Sequence, residues 1–287
     1  MNRFSAILVV LAAVSLLILS GCSTVPPLPP KAAEMNRAGA EALANGDYEL
    51  ASARLHVAIE YSPSFTEAWV NLGLVEMKRG DLKEAMKDLA KARSLNPDLP
   101  APHHALGVVD EYRNKPEGAE KHYRAALKVD PGFGASRANL GRLLFARGAF
   151  EEAREQFLRL SEVAPNEIAG FAGLVESLLR LGRELEADEV LAKARAHFGD
   201  TEEFLLLYGR QLLRRGAARD AEDVFATVTG GSERGRQAAA WAWIAIARFE
   251  RRDLKGARTA FEESKKIDAA NPLAAFVEKL LRAERGA

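Results

Sequence analysis

Five histidines, one cysteine and forty carboxylates are the side chains here that could hold a metal, attack an electrophile or pass a proton. His103 and His104 are adjacent, and neighbours on a helix diverge by about 100°. They cannot chelate together, and a zinc site drawing in His122 would need ligands three or four residues apart on a helix. His56 and His197 are isolated in the sequence. The carboxylates lie among Lys and Arg at helical spacing, where exposed pairing is the ordinary outcome. No nucleophile elbow, phosphate loop or metalloprotease motif occurs. No catalytic residue, metal site or cofactor is therefore expected. Cys22 is the only thiol, so an internal disulfide is impossible and stability must come from packed apolar faces.

Cys22 ends a distinctive segment. Arg3 supplies a positive start, and Phe4 to Leu19 is almost wholly apolar before Ser20-Gly21-Cys22. Sixteen residues is short for a membrane span, which needs about 20, and the pattern is that of a secretory signal over residues 1–21. Leu19-Ser20-Gly21-Cys22 resembles the bacterial lipobox, whose cysteine is acylated before the chain is cut in front of it. That resemblance implies a covalent lipid on Cys22, and Ser23 after it implies export to the outer membrane. One acyl chain anchors marginally while two or three hold essentially for good; mature lipoproteins of this family carry three. An uncleaved anchor with an incidental cysteine is the alternative. Residues 22–31, with Pro26, Pro27, Pro29 and Pro30, favour an extended polyproline tether, and a proline-motif ligand is the competing use of the same residues.

What could position any surface side chain is a repeat. Gly39, Gly73, Gly107 and Gly141 are each 34 residues apart, as are Ala51, Ala85, Ala119, Ala153, Ala187 and Ala221, and Pro63, Pro97, Pro131 and Pro165. A period of this length specifies a solenoid of helical hairpins that offers a surface instead of closing around a pocket. In the copy 66–99, Trp69, Leu72 and Gly73 share one helical face and Ala85, Leu89 and Ala92 another. Gly80-Asp81 breaks the chain between them and Pro97 stops the second helix.

That copy resembles the tetratricopeptide repeat, following its W-x2-L-G-x2-Y…A-x3-F…A…P pattern with Glu76 where the family usually has Tyr and Leu89 at the Phe position. The resemblance implies an all-α, right-handed superhelical solenoid of seven hairpins, 32–65, 66–99, 100–133, 134–167, 168–201, 202–237 and 238–271, with a capping helix and tail over 272–287. The cap carries Phe276, Leu280 and Leu281 among charged residues. From Ala221 to Ala257 the interval lengthens to 36, and the polar run 230–235 that takes up the difference reads as a longer linker and a hinge.

In each copy the first helix uses positions 4, 7, 8 and 11 for internal packing, which leaves positions 2, 5, 9 and 12 as a separate stripe. The resemblance makes that stripe the lining of a concave groove. It contains Val70, Leu74, Met77, His104, Val108, Phe145, Leu179, Leu206, Leu213, Ile246 and Phe249, edged by Asn71, Tyr112, Asn139, Arg142, Arg180, Arg210 and Arg214. Such a lining suits an extended or helical peptide with apolar anchors and some acidic groups. Family members that clamp a peptide backbone often carry Asn where Asn71 and Asn139 stand, although the accompanying Lys residues are not all matched. Packing between adjacent repeats is the other use open to these side chains.

Forty basic residues balance forty acidic ones, which excludes a nucleic-acid footprint. Lipobox, proline tether and serial repeats together resemble the outer-membrane lipoproteins that help assemble the type IV pilus secretin, often called pilotins. That resemblance implies a scaffold on the periplasmic face of the outer membrane, with a secretin or another periplasmic or outer-membrane protein as partner. The alternatives are an adaptor for peptidoglycan hydrolases or a periplasmic protease and, from another class, an enzyme, for which the repeats leave no residues.

Overall fold

Why the chain breaks where it does is visible at the ends of its helices, which the computed structural model describes over residues 27–283. Residues 1–26, where a signal segment, the lipidated Cys22 and most of a tether are expected, and residues 284–287 of the expected tail lie outside the described residues. Among these, the regular structure is wholly α-helical, fifteen helices with no strand. The chain divides into two compact units, Met1–Asp98 and Leu99–Ala287.

The first unit holds two hairpins, α1 (Pro30–Ala44) with α2 (Tyr48–Tyr61) and α3 (Thr66–Arg79) with α4 (Leu82–Leu95). Pro30 was expected to belong to an extended tether, yet it starts α1. A proline is at home at the first helical position, where its missing N–H has no partner to lose. Pro29 before it keeps a polyproline-like φ of −57° and ψ of 132°. The hairpin turn after α3 is made by Gly80 in the left-handed region, φ 91°, a conformation that costs other residues about 1–2 kcal/mol. Asp47 caps α2 by accepting the Leu50 N–H at 3.0 Å. Ala51, Leu55, Leu72 and Val75 form the centre of this unit, all at most 2% exposed.

The second unit continues the pattern with α5 (Pro100–Tyr112), α6 (Pro116–Val129), α7 (Gly134–Arg147), α8 (Phe150–Val163), α9 (Ile168–Arg180), α10 (Glu184–Phe198), α11 (Glu202–Arg214), α12 (Ala218–Val228), α13 (Arg234–Glu250), α14 (Leu254–Ile267) and α15 (Pro272–Ala283). Each odd-numbered helix from α5 to α13 pairs with the helix after it, and α15 packs on α13 and α14. Its core is a run of large side chains from Tyr123, Leu144 and Phe157 to Phe204, followed by a second cluster around Phe225, Ile244 and Phe261. Burying each of these contributes about 1.5–3 kcal/mol.

The residues added between Ala221 and Ala257, expected to lengthen a linker and form a hinge, are divided between that linker and the helix after it. Arg234 to Gln237 form an extra first turn of α13, which reaches 17 residues, and only Thr229 to Glu233 remain outside helices. That short link is held in place: Ser232 N–H donates to Glu202 Oε1 at 3.2 Å, the Gln237 amide donates to Gly231 C=O, and Arg236 pairs with Glu202, Glu203 and Glu233. In α15 the buried face is Ala274, Val277 and Leu281, whereas Phe276 is 52% exposed. Phe276 lies one residue from the i, i+3, i+7 line that meets the preceding hairpin.

Candidate functional site

In the second unit the first helices of successive hairpins touch, α7 with α9, α9 with α11 and α11 with α13, while the second helices make no comparable contacts with one another. Layers of unequal spacing must curve toward the closer one, so the first helices line the inner side of this unit. The stripe residues are carried by these first helices.

Several apolar members of the stripe are not exposed. Val70, Met77, Leu213 and Ile246 are at most 8% exposed and pack inside their own units, so they are core and not floor. Leu74, Val108, Phe145, Leu179, Leu206 and Phe249 stay half-buried. Tyr112 is 60% exposed.

The polar members mostly bind neighbouring repeats. In the first unit Asn71 Nδ2 donates to Asn36 Oδ1 at 2.9 Å, joining α3 to α1. In the second unit Arg142 Nη2 donates to Glu111 Oε2 at 2.5 Å, across 31 residues. Glu111 also accepts from the fully buried Tyr123 hydroxyl at 2.7 Å, and Asn139 Nδ2 donates to that hydroxyl at 3.3 Å. Burial and the adjacent Glu111 carboxylate hold the Tyr123 phenol far above its ordinary range, so it acts as a donor. Arg210 and Arg214 both pair with Glu176, Arg214 at 2.5 Å. Arg210 also lies 5.5 Å from the Trp243 ring centre. Arg180 is different: its guanidinium sits 4.3 Å over Phe150 and 5.6 Å from Phe145, whose rings meet edge to face at 5.2 Å. It has a cation–π seat, worth about 0.5–1 kcal/mol at an exposed site, and no carboxylate partner among the described residues.

The structure thus gathers Arg142, Arg180, Arg210, Arg214, Asn139 and Phe145 on one unit's first helices and places Asn71 in the other unit. Sequence reasoning missed Glu111 and Glu176, which neutralise three of these arginines. The signal was present, because Glu111 occupies position 12 and Glu176 position 9 of their copies, on the same stripe as Arg142 and Arg210, with Arg214 at its edge.

His104 Nδ1 lies 3.0 Å from Ser136 Oγ, with its ring 5.6 Å from Tyr123 and 5.5 Å from Phe133. His122 instead turns Nε2 toward Asp110 Oδ2 at 3.7 Å, and among the described residues no group of three or more potential ligands could hold a metal. Burial depresses the His104 pKa below 6.5, against a weaker opposite pull from Glu111. The unfolded chain then binds more protons than the folded one just below pH 6.5, so stability must fall as the pH drops through that region. Denaturant unfolding at pH 7.5 and 5.5 is expected to show this loss, and His104→Gln should reduce it; an unchanged pH dependence in the variant would assign the loss elsewhere.

Residues 36–100 and 113–178 match family models of the tetratricopeptide repeat. No curated protein matches the sequence. Among solved structures, a tetratricopeptide repeat protein from Parabacteroides merdae shares the fold at a TM-score of 0.69 with 16% identity, over 88% of this chain and 100% of that one. PilF of Pseudomonas aeruginosa is similar at a TM-score of 0.53 with 23% identity, over 75% of this chain and 96% of its own. PilW, a widely conserved type IV pilus biogenesis factor, is similar at 0.58 with 20% identity, over 71% and 94%.

Proposed function

We propose that this chain, whose tetratricopeptide repeats make it a protein-interaction scaffold, is an outer-membrane lipoprotein that captures partner proteins in the periplasm on its first-helix face. The observation that carries the proposal is the row of guanidinium and half-buried apolar groups along α7, α9, α11 and α13, with Arg180 seated on aromatic rings and paired with no carboxylate among the described residues. An extended or helical segment with apolar anchors and an acidic group fits that row. Leu19-Ser20-Gly21-Cys22 supplies the anchor in this proposal, and Ser23 the address. The finer role is assembly of the type IV pilus secretin, which the fold shared with PilF and PilW supports. An adaptor role for peptidoglycan hydrolases or a periplasmic protease uses the same face and is the second reading.

Two measurements test it. Arg142→Glu combined with Arg180→Glu should cut recovery of partners from membrane fractions by about tenfold or more, equivalent to at least about 1.4 kcal/mol, while the far-ultraviolet helical signal persists. Equal recovery by the double variant would remove the face from the proposal. Cys22→Ser should leave the repeats folded and move the protein out of the outer-membrane fraction, since each lost acyl methylene forfeits about 0.8 kcal/mol of membrane affinity. A variant still fixed in that fraction would refute the lipid anchor.

A further inference from the structure

The last helix closes the stack on one side and leaves it open on another. α15 buries Ala274, Val277 and Leu281, the places held on α11 by the buried Phe204, Leu207 and Gln211, so it is set against α13 as the first helix of another hairpin would be. A second helix would then pack on Ala275, Lys279 and Arg282. Those three are exposed, Lys279 stands where Gly209 meets Phe225 in its own hairpin, and Arg282 is paired with Glu278 at 2.6 Å. Charge closes that side, as the end of a solenoid requires.

The adjoining side is apolar instead. Leu273, Phe276 and Leu280 hold the places of Glu203, Leu206 and Arg210 and form a line at i, i+3 and i+7. Phe276 is 52% exposed, and Leu273 and Leu280 are half-buried against the same core cluster as Phe249 near the end of α13. A terminal cap needs a polar outer face, which Lys279 and Arg282 already give it, so capping does not account for this line. Single apolar side chains are ordinary on a surface, whereas a contiguous patch marks a contact.

The charges along the first helices bear on what covers the patch. One and the same place is held by Arg180 on α9, Arg214 on α11 and Glu250 on α13, so the sign reverses next to α15. Glu250 is exposed and has no ion-pair or hydrogen-bond partner among the described residues. Partial burial raises its carboxyl pKa, with no cation to offset the shift. Arg214 is matched by Glu176, which leaves Arg180 and Glu250 as open charges of opposite sign.

We infer that the partner segment captured by the first-helix face is dipolar: an acidic residue at Arg180, a Lys or Arg beside Glu250, and apolar side chains beyond that base on Phe276 and Leu280. This rests on the partner capture proposed above and adds the composition and order of what is captured. Packed helices lie about 8–10 Å apart, so two steps from α9 to α13 separate the two charges by roughly 16–20 Å. In an extended segment, at about 3.3 Å per residue, that is about five or six residues. In a helical one, at about 1.5 Å per residue, it is about eleven to thirteen.

A random peptide library long enough to span the face, displayed and selected on the full chain, tests this. Enrichment of sequences with an acid, a base at one of those separations and apolar residues beyond the base is the expected result. Selected peptides, titrated into the purified chain and followed by fluorescence anisotropy, should bind about fivefold or more weakly to Glu250→Lys and to Phe276→Ser. Both side chains are exposed, so neither substitution opens the core. Changing the peptide's base to Glu should restore binding to Glu250→Lys and to no other form of the protein. Selected sequences without a base, a library that yields no binder, or binding untouched by Glu250→Lys and Phe276→Ser would each overturn the inference. Partner recovery through Arg142 and Arg180 is a separate readout: loss there without loss at Glu250 and Phe276 keeps the face and removes its α15 end, and the opposite pattern does the reverse.

Discussion

Gly170→Val should unfold the joint between α8 and α9 at much lower temperature or denaturant than the parent chain, with a loss of about 3 kcal/mol or more. Overpacking in a well-packed core costs typically about 1–3 kcal/mol and occasionally more. This position belongs at the severe end because the obstacle is main chain. A Cβ on Gly170 would lie 2.6 Å from Ser161 N, 2.9 Å from its Cα and 3.1 Å from the Leu160 carbonyl carbon. A side chain can rotate aside, whereas the α8 backbone can yield only if the two helices separate. Even alanine should destabilise here, although a helix interior normally favours Ala over Gly by about 0.8–1.0 kcal/mol. Gly134→Ala is the control, since its nearest neighbour would be Leu160 Cδ1 at an ordinary 3.5 Å. Thermal and denaturant unfolding of the three variants check the ranking. A Gly170→Val protein as stable as Gly134→Ala would mean that the helix approach is not as close as described.

Phe225→Ala is expected to cost about 3–5 kcal/mol, the range for emptying a buried aromatic site. The Phe225 ring is fully buried on α12, faces Gly209 on α11 and stacks on Trp243 of α13 at 6.0 Å, so three consecutive helices share it. A Cβ on Gly209 would come within 2.5 Å of that ring. Gly209→Ala should therefore be harmful alone and much less harmful beside Phe225→Ala, with a coupling of about 0.5–3 kcal/mol in a double-mutant cycle. Strict additivity would contradict the contact. The seventh copy shows the accommodated version of the same pair, Ala245 with Phe261, both buried.

These contacts explain how much the sequence could disclose. The all-helical hairpin fold was legible because glycine, alanine and proline recur at fixed intervals, and each has a local cause: close approach, a small packing face, or termination. The packing faces were legible in part for the same reason, although Val70, Met77, Leu213 and Ile246, which the spacing assigned to an open stripe, are buried. What the interval could not disclose is which polar side chains spend themselves inside the protein. Arg142 and Arg214 look free until the hairpins are placed side by side and bring Glu111 and Glu176 to them. The added residues near Gly230 suggested flexibility because glycine and charge usually mark loops. Glu202, thirty residues away in the chain, supplies the acceptor that pins them.

Cancelled charge governs how a partner would arrive. With three of its four guanidinium groups already matched by Glu111 or Glu176, the inner face projects little field into solution, and long-range steering needs an unbalanced one. Encounter rates on this face should consequently change little with ionic strength. Selection would happen only after collision, as an incoming carboxylate displaces a resident one, and would be felt in how long a complex lasts.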